Sequence, residues 1–309
     1  MKRGVIWSSI VGAGVLLVPL PAEPCSICRC GDPTFNALGK QGYMNAGWRL
    51  ALDWERFDKQ EGLPELEAEE LVENRVTALA SYGFSDRFSL HARVPLSFRS
   101  FSEIEDGETH ESLTTRGLSD PELYAQARLW ASSLSGPLGR RSSVSLLAGV
   151  KTALGENDYR IDDERVDEHA QPGTGSTDLF ASLAVLHLLD KQSALFGSVQ
   201  YRHTGENDHR YRYGRIFLAN GAYERKLGKR LDGVIELNYR FAGQDQQDGE
   251  EGPDTGGSIL YVTPRLLVDV GRGIVLRGAV QIPIARELNG AQEEKAVFNV
   301  GLSFLFGSR

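Results

Sequence analysis

The final segment of the chain, residues 296–306, reads AVFNVGLSFLF. Phe298, Val300, Leu302, Phe304 and Phe306 share one parity, while Asn299, Gly301 and Ser303 share the other. Strict alternation of this kind describes a strand with one apolar face. The pattern returns in about twelve segments behind an apolar N-terminus, and a transmembrane β-barrel with a lipid-facing wall and a polar lumen accounts for it best. The fold class expected is therefore all-β, an antiparallel barrel of about twelve strands.

Bulk hydropathy alone would hide this. The 309 residues carry a net charge of −8, and their mean hydropathy is negative. Beyond the N-terminus there is no run of roughly 20 apolar residues of the kind a membrane helix needs. Alternation halves the apolar signal, so a barrel escapes such a scan. The N-terminus itself reads as a secretory signal: Lys2 and Arg3 precede apolar residues 5–20, and Pro19, Pro21 and Ala22 mark a cleavage region. This divides the chain into a signal peptide (1–22), a periplasmic Cys-rich leader (23–46) and the barrel (47–309). Acylation at Cys25 is disfavoured by Pro24, where a small residue is wanted. The acidic excess argues against a nucleic-acid partner.

Segment phases give the wall. Residues 48–57 place Trp48, Leu50, Leu52 and Trp54 opposite Asp53 and Glu55; residues 88–98 place Phe88, Leu90, Val94, Leu96 and Phe98 opposite Ser89, His91, Arg93 and Ser97. Residues 122–131 set Leu123, Ala125, Ala127 and Leu129 against Tyr124, Gln126, Arg128 and Trp130. Residues 259–268 set Leu260, Val262, Leu266 and Val268 against Tyr261, Thr263, Arg265 and Asp269. Phases are weakest around 177–188 and 214–225. Pro95, Pro264 and Pro283 fall inside segments, where local bulges or strand ends are expected because proline lacks a ladder donor.

The connections sort by parity. Polar linkers at 58–70, 99–120, 154–176, 203–213, 242–257 and 285–294 follow odd segments, whereas those after even segments are mostly tight. Outer-membrane barrels have short periplasmic turns and long outer loops; a soluble β-sandwich has no reason to sort its loops this way. Phe84, Phe88, Phe98, Tyr223, Tyr239, Phe241 and Phe306 near segment ends suit interfacial girdles, or plain β-propensity.

At 117–128, GLSDPELYAQAR, and at 171–179, QPGTGSTDL, the chain resembles the outer-membrane transporters of the MetA-pathway of phenol degradation family. The parts carrying the resemblance are a GxxD strand start (Gly117 to Asp120), a turn (Ala153 to Gly155) and a loop closing at Gly173 to Ser176. The resemblance implies an outer-membrane channel of a Gram-negative bacterium for small, hydrophobic or aromatic solutes.

Several groups could carry chemistry. All three cysteines, Cys25, Cys28 and Cys30, lie in the leader. Three thiols in a CxxCxC array suit a soft ion such as Cu or Zn; a disulfide with one spare thiol, or no specific role, are the other readings. The expected inward charges are Asp53, Glu55, His91, Arg93, Arg128, Lys151, Arg202, Glu236, Arg240, Arg265 and Arg277. They could line a pore with mild anion preference or pair into a network. The acidic run Asp158, Asp162, Asp163, Glu164, Asp167 and Glu168 reads as a solvated loop, or as a divalent-cation bridge to lipopolysaccharide. No G-x-S-x-G motif and no GxxxxGK[ST] loop is present, so the chain reads as neither an enzyme nor an ATPase. The expected function is passive passage of small solutes through a porin-like barrel whose partners are membrane lipid, lipopolysaccharide and the solute. The alternative is a metal- or redox-linked barrel whose leader binds a soft ion or docks a periplasmic partner.

Overall fold

The structure is a computed structural model that describes residues 47–63, 67–105, 108–132, 142–161 and 163–306. The signal, the leader and its three cysteines lie outside the described residues. Twelve long strands form the wall: β1 (Gly47–Leu63), β2 (Glu67–Gly83), β3 (Phe88–Glu105), β4 (Glu122–Ala131), β5 (Ser142–Lys151), β6 (Asp178–Leu188), β7 (Ser193–His203), β8 (Ile216–Lys226), β9 (Leu231–Ala242), β10 (Gly257–Gly271), β11 (Ile274–Leu288) and β12 (Val297–Phe306). Each pairs antiparallel with its neighbours, and β1 pairs with both β2 and β12. The sheet is thus closed, which leaves no unpaired edge in the membrane. The described residues contain no α-helix.

The alternation drives this closure. Along β6, Asp178, Phe180, Ser182, Ala184 and Leu186 are buried, while Leu179, Leu183 and Val185 are exposed. Leucines left exposed at every second position can only be satisfied by lipid. At the end with the tight turns, Trp48, Tyr82, Phe84 and Phe88 make successive ring contacts at 4.8, 4.8 and 5.6 Å, a girdle at the periplasmic interface.

The structure corrects the sequence reading in several places. The linker expected at 58–70 is strand over 58–63 and 67–70: β1 and β2 stay in register up to Leu63↔Glu67. Much of 99–120 is a second hairpin, with Glu108–Leu118 paired to the upper half of β3. These arms rise above the bilayer, where the outer face needs no apolar residues, so alternation fades although pairing continues. Trp130 points outward, not inward. A bulge lies between Arg128 and Trp130, and the extra residue leaves both Leu129 and Trp130 exposed. Asp269 is likewise exposed, at a register shift before Gly271. The obscure phases of β6 and β8 arise because their inward faces carry Phe180, Leu186, Ile216 and Leu218.

Each internal proline sits where a missing donor does little harm. Pro283 lies at the bulge opposite Leu260 and Tyr261. The β10–β11 ladder skips Thr263 and Pro264. At Pro95, β3 exchanges one neighbour for another: Arg93 pairs Glu122 of β4, whereas Leu96 pairs Leu118 of the hairpin arm.

Leu183 lies midway along β6 on the lipid face. Leu183→Arg should cost about 2–4 kcal/mol in urea unfolding from lipid vesicles. A loss below about 1 kcal/mol would place this position at an interface instead.

Candidate functional site

Inward-facing side chains fall into register around the barrel. One row runs Arg49, Ser81, His91, Tyr124, Gly149, Phe180 and Arg202, crossing seven strands from β1 to β7. From Ser81 to Arg202 its members touch in sequence. His91 Nδ1 lies 2.8 Å from Ser81 Oγ, and its Nε2 lies 2.8 Å from Ser89 Oγ. The imidazole stacks on Tyr124 with centroids 4.6 Å apart. Gly149 leaves the space in which Tyr124 meets Phe180, since a Cβ there would lie 2.4 Å from Tyr124 Cβ and 2.7 Å from Phe180 Cζ. The Arg202 guanidinium sits 4.9 Å above the Phe180 ring, a cation–π contact. Leu147 and Ala184 pack with these rings, and Phe196 lies against them, as an apolar patch.

The eleven charged residues singled out from the sequence are buried or half-buried. Nine of them meet a group of opposite charge, in several cases a residue the sequence reading did not include. Arg277 Nη2 bonds Asp53 Oδ1 at 2.7 Å. The two stand on either side of Gly301 on β12, where a Cβ would lie 2.0 Å from the carboxylate. Arg265 meets Glu236 at 2.7 Å, and Glu55 accepts from Asn299 at 3.4 Å. Glu294 gathers Arg240, Tyr261 and Lys59, the last at 3.3 Å. Glu122 receives Arg202 at 2.6 Å and Arg93 at 3.0 Å. Lys151 lies 3.4 Å from Asp178 and 2.8 Å from Asp120. Arg128 approaches Asp86 at 3.6 Å near a periplasmic turn. The arginine excess behind the expected anion preference is thus offset by Glu122, Asp178 and Glu294, and by Glu73, which lies 2.9 Å from Arg75 and 3.5 Å from Arg99. Glu122 was within reach of the sequence, since it shares parity with Tyr124 and Arg128; Glu294 sits in a connection and gave no signal.

The connection between β5 and β6 folds inward across the outer mouth. Glu168, His169, Ala170, Gln171, Thr174 and Ser176 are buried. Asp120 anchors it: Oδ1 accepts from Gly155 N at 3.0 Å, while Oδ2 accepts from Thr174 N at 2.8 Å and from Thr174 Oγ1 at 2.5 Å. The three short motifs read from the sequence therefore meet at this one carboxylate. Across the barrel, Arg99 Nη1 donates to His169 O at 2.8 Å and also to Gln171 O, and Thr115 Oγ1 donates to Ala170 O at 2.6 Å. Tyr213 OH donates to Glu168 O at 3.0 Å. The acidic run is accordingly not all solvated: Glu168 is buried against Arg165 at 2.8 Å, and Asp167 accepts from His169 N at 2.8 Å. Among the described residues no group of three or more His, Cys, Asp or Glu is arranged to hold a metal.

Removing one partner of a buried pair leaves the other charge uncompensated. Asp120→Ala should cost about 3 kcal/mol in urea unfolding and expose residues 154–176 to limited proteolysis. Lys151 keeps Asp178 at 3.4 Å in that variant, so the exposure follows from the lost bonds to Gly155 and Thr174, and Lys151→Met, which leaves those bonds in place, should keep 154–176 protected. A folded Asp120→Ala barrel in which 154–176 stays protected would mean that Asp120 does not hold this connection.

Comparison with known proteins follows the geometry. Over its fold, the chain is similar to the COG4313 outer membrane channel from Pseudomonas putida F1, with 15% identity and a TM-score of 0.63, covering 89% of this chain and 100% of that one. It is more distantly similar to the translocator domain of the autotransporter NalP from Neisseria meningitidis (10% identity, TM-score 0.48, 86% and 92% covered). The toluene transporter TbuX from Ralstonia pickettii is comparable (8% identity, TM-score 0.46, 86% and 91% covered). No curated protein matches the chain. A closed antiparallel barrel with an apolar outer wall is an outer-membrane architecture of Gram-negative bacteria, and this chain is an outer-membrane barrel. The family model described as Putative MetA-pathway of phenol degradation matches residues 71–282, more than half of the chain, and the protein belongs to that family.

Proposed function

We propose that this barrel is an outer-membrane channel for the passive passage of small solutes, with its narrowest point where the β5–β6 connection crosses the outer mouth. The observation that carries the reading is the inward fold of that connection onto Asp120 and Arg99. A closed wall with a charged interior and a fixed internal loop is the construction of a size-limited conduit. Membership of the family described as Putative MetA-pathway of phenol degradation and the shared fold with an outer membrane channel support it.

The solutes proposed are small and hydrophobic or aromatic. The row His91, Tyr124, Phe180 and Arg202 offers ring faces, a guanidinium plane and adjacent apolar side chains on the inner wall. Such surfaces suit a flat, weakly polar molecule better than a hydrated ion. The ion pairs around the row leave little net charge to attract either sign.

Conductance of the purified barrel in a planar bilayer tests the conduit. Wild type should show small discrete steps with weak ion selectivity. Asp120→Ala, by releasing the internal loop, should enlarge them severalfold. A wild type and a correctly folded Asp120→Ala barrel that are both silent would overturn the conduit. Equal steps in the two would move the constriction elsewhere.

A further inference from the structure

The segment 209–215 reads HRYRYGR, and its alternation divides it between two environments. Tyr211 and Tyr213 are buried inward. Tyr211 OH donates to Asp245 Oδ2 at 2.7 Å, and Gly214 N donates to Asp245 Oδ1 at 2.7 Å. Arg212 lies between the two tyrosines on the opposite side of an anchored backbone, and past Gly214, where two successive residues are buried and the phase shifts, Arg215 is exposed on the same parity as Phe217. Directly below them, Tyr201 of β7, Phe217 of β8 and Phe241 of β9 are in register as neighbours on three adjacent strands. All three are exposed on the lipid-facing side. These residues, with Gly214, Gly243, Gln246 and Glu251, line a half-open groove of about 600 Å³.

The groove lies at the outer-leaflet end of the wall, because β7 and β9 end there and the long connections begin. It has an aromatic floor toward the acyl region and two guanidinium groups at headgroup height. Arg212 donates to Gln246, while Arg215 has no carboxylate partner among the described residues. Glu251 is the one acidic residue in the lining, so two arginines and one glutamate leave a charge of 2 − 1 = +1. An anionic amphiphile with acyl chains below a phosphate matches this arrangement, and guanidinium is the side chain best shaped to grip phosphate. In the outer leaflet of this membrane, that amphiphile is lipopolysaccharide.

We propose that this groove is a binding site for the lipid A part of lipopolysaccharide, with Arg215 and Arg212 on a glucosamine phosphate and Tyr201, Phe217 and Phe241 against the acyl chains. The site lies on the outside of the wall and does not rest on the channel reading. Because Tyr211 and Asp245 hold the backbone beforehand, little ordering is needed when the lipid arrives.

Native mass spectrometry of the detergent-purified, delipidated barrel tests the site, with bis-phosphorylated Kdo2-lipid A as probe. Wild type should retain one lipid. The double variant R212A/R215A should bind about tenfold more weakly, the loss expected for a charge-assisted contact. Dephosphorylated lipid A should show the same loss on wild type, and Arg215→Lys should restore part of it. Heat-dependent gel mobility identifies variants that have folded; Phe217→Ala supplies an independent variant that should weaken binding with both arginines present. Unchanged binding in folded R212A/R215A, or equal competition by phosphatidylglycerol, would overturn the proposal and leave an ordinary annular contact.

Discussion

Closure of the hydrogen-bonded sheet is the constraint on which everything else depends. Within hydrocarbon no water is available to pair a strand edge, so β1 must bond β12 as well as β2. Once the sheet is closed, alternation has only two destinations, lipid and lumen. The outward residues can be uniformly apolar because lipid asks nothing more of them. The inward residues face each other across a confined space and have to satisfy one another.

That mutual satisfaction explains the distribution of charge. A guanidinium drawn out of water is tolerable only beside a carboxylate and further polar partners. The barrel supplies these across strands rather than along them: Asp53 to Arg277 over Gly301, and Glu122 to Arg93 and Arg202. The glycines on intervening strands are part of the same solution. At Gly301 and Gly149 the missing side chain is what lets neighbours two strands apart make contact. Such networks contribute more to a single, well-defined interior than to net stability, since an apolar filling of equal volume would be comparably stable.

The membrane-embedded part of the fold was legible in the sequence because its outer wall must alternate. Leu50, Leu52 and Trp54, or Phe298 and Val300, announce their face whatever the partner strand is. Legibility ended where that requirement ended. Above the bilayer the arms 58–63 and 67–70 continue to pair, but no lipid demands an apolar face, and they read as loop. At Trp130 a single bulged residue reversed the parity, which no periodic reading can anticipate. The candidate site was half visible for a related reason. Basic side chains such as Arg240 and Lys151 stood in clear phase within strands, whereas their partners Glu294 and Asp120 lie in connections, where position follows from tertiary contact and not from period. The three motif fragments at Gly117, Gly155 and Gly173 were visible as sequence, but only the structure explains their spacing.

That explanation bears on the proposed constriction at the mouth. A Cβ on Gly173 would lie 2.7 Å from Gly155 Cα, and one on Gly155 would lie 2.7 Å from the Asp120 backbone nitrogen. Backbone therefore packs on backbone, with Asp120 accepting bonds from both segments. Backbone groups held this way have no rotamers to rearrange, unlike the long side chains that form a flexible plug. Lys151 and Arg99 are themselves bonded to the connection's anchoring carboxylate or to its carbonyl oxygens. Under the proposed conduit, a constriction built this way would sort solutes by size and by the dipoles it presents, and displacing it would break several buried charge-assisted bonds together.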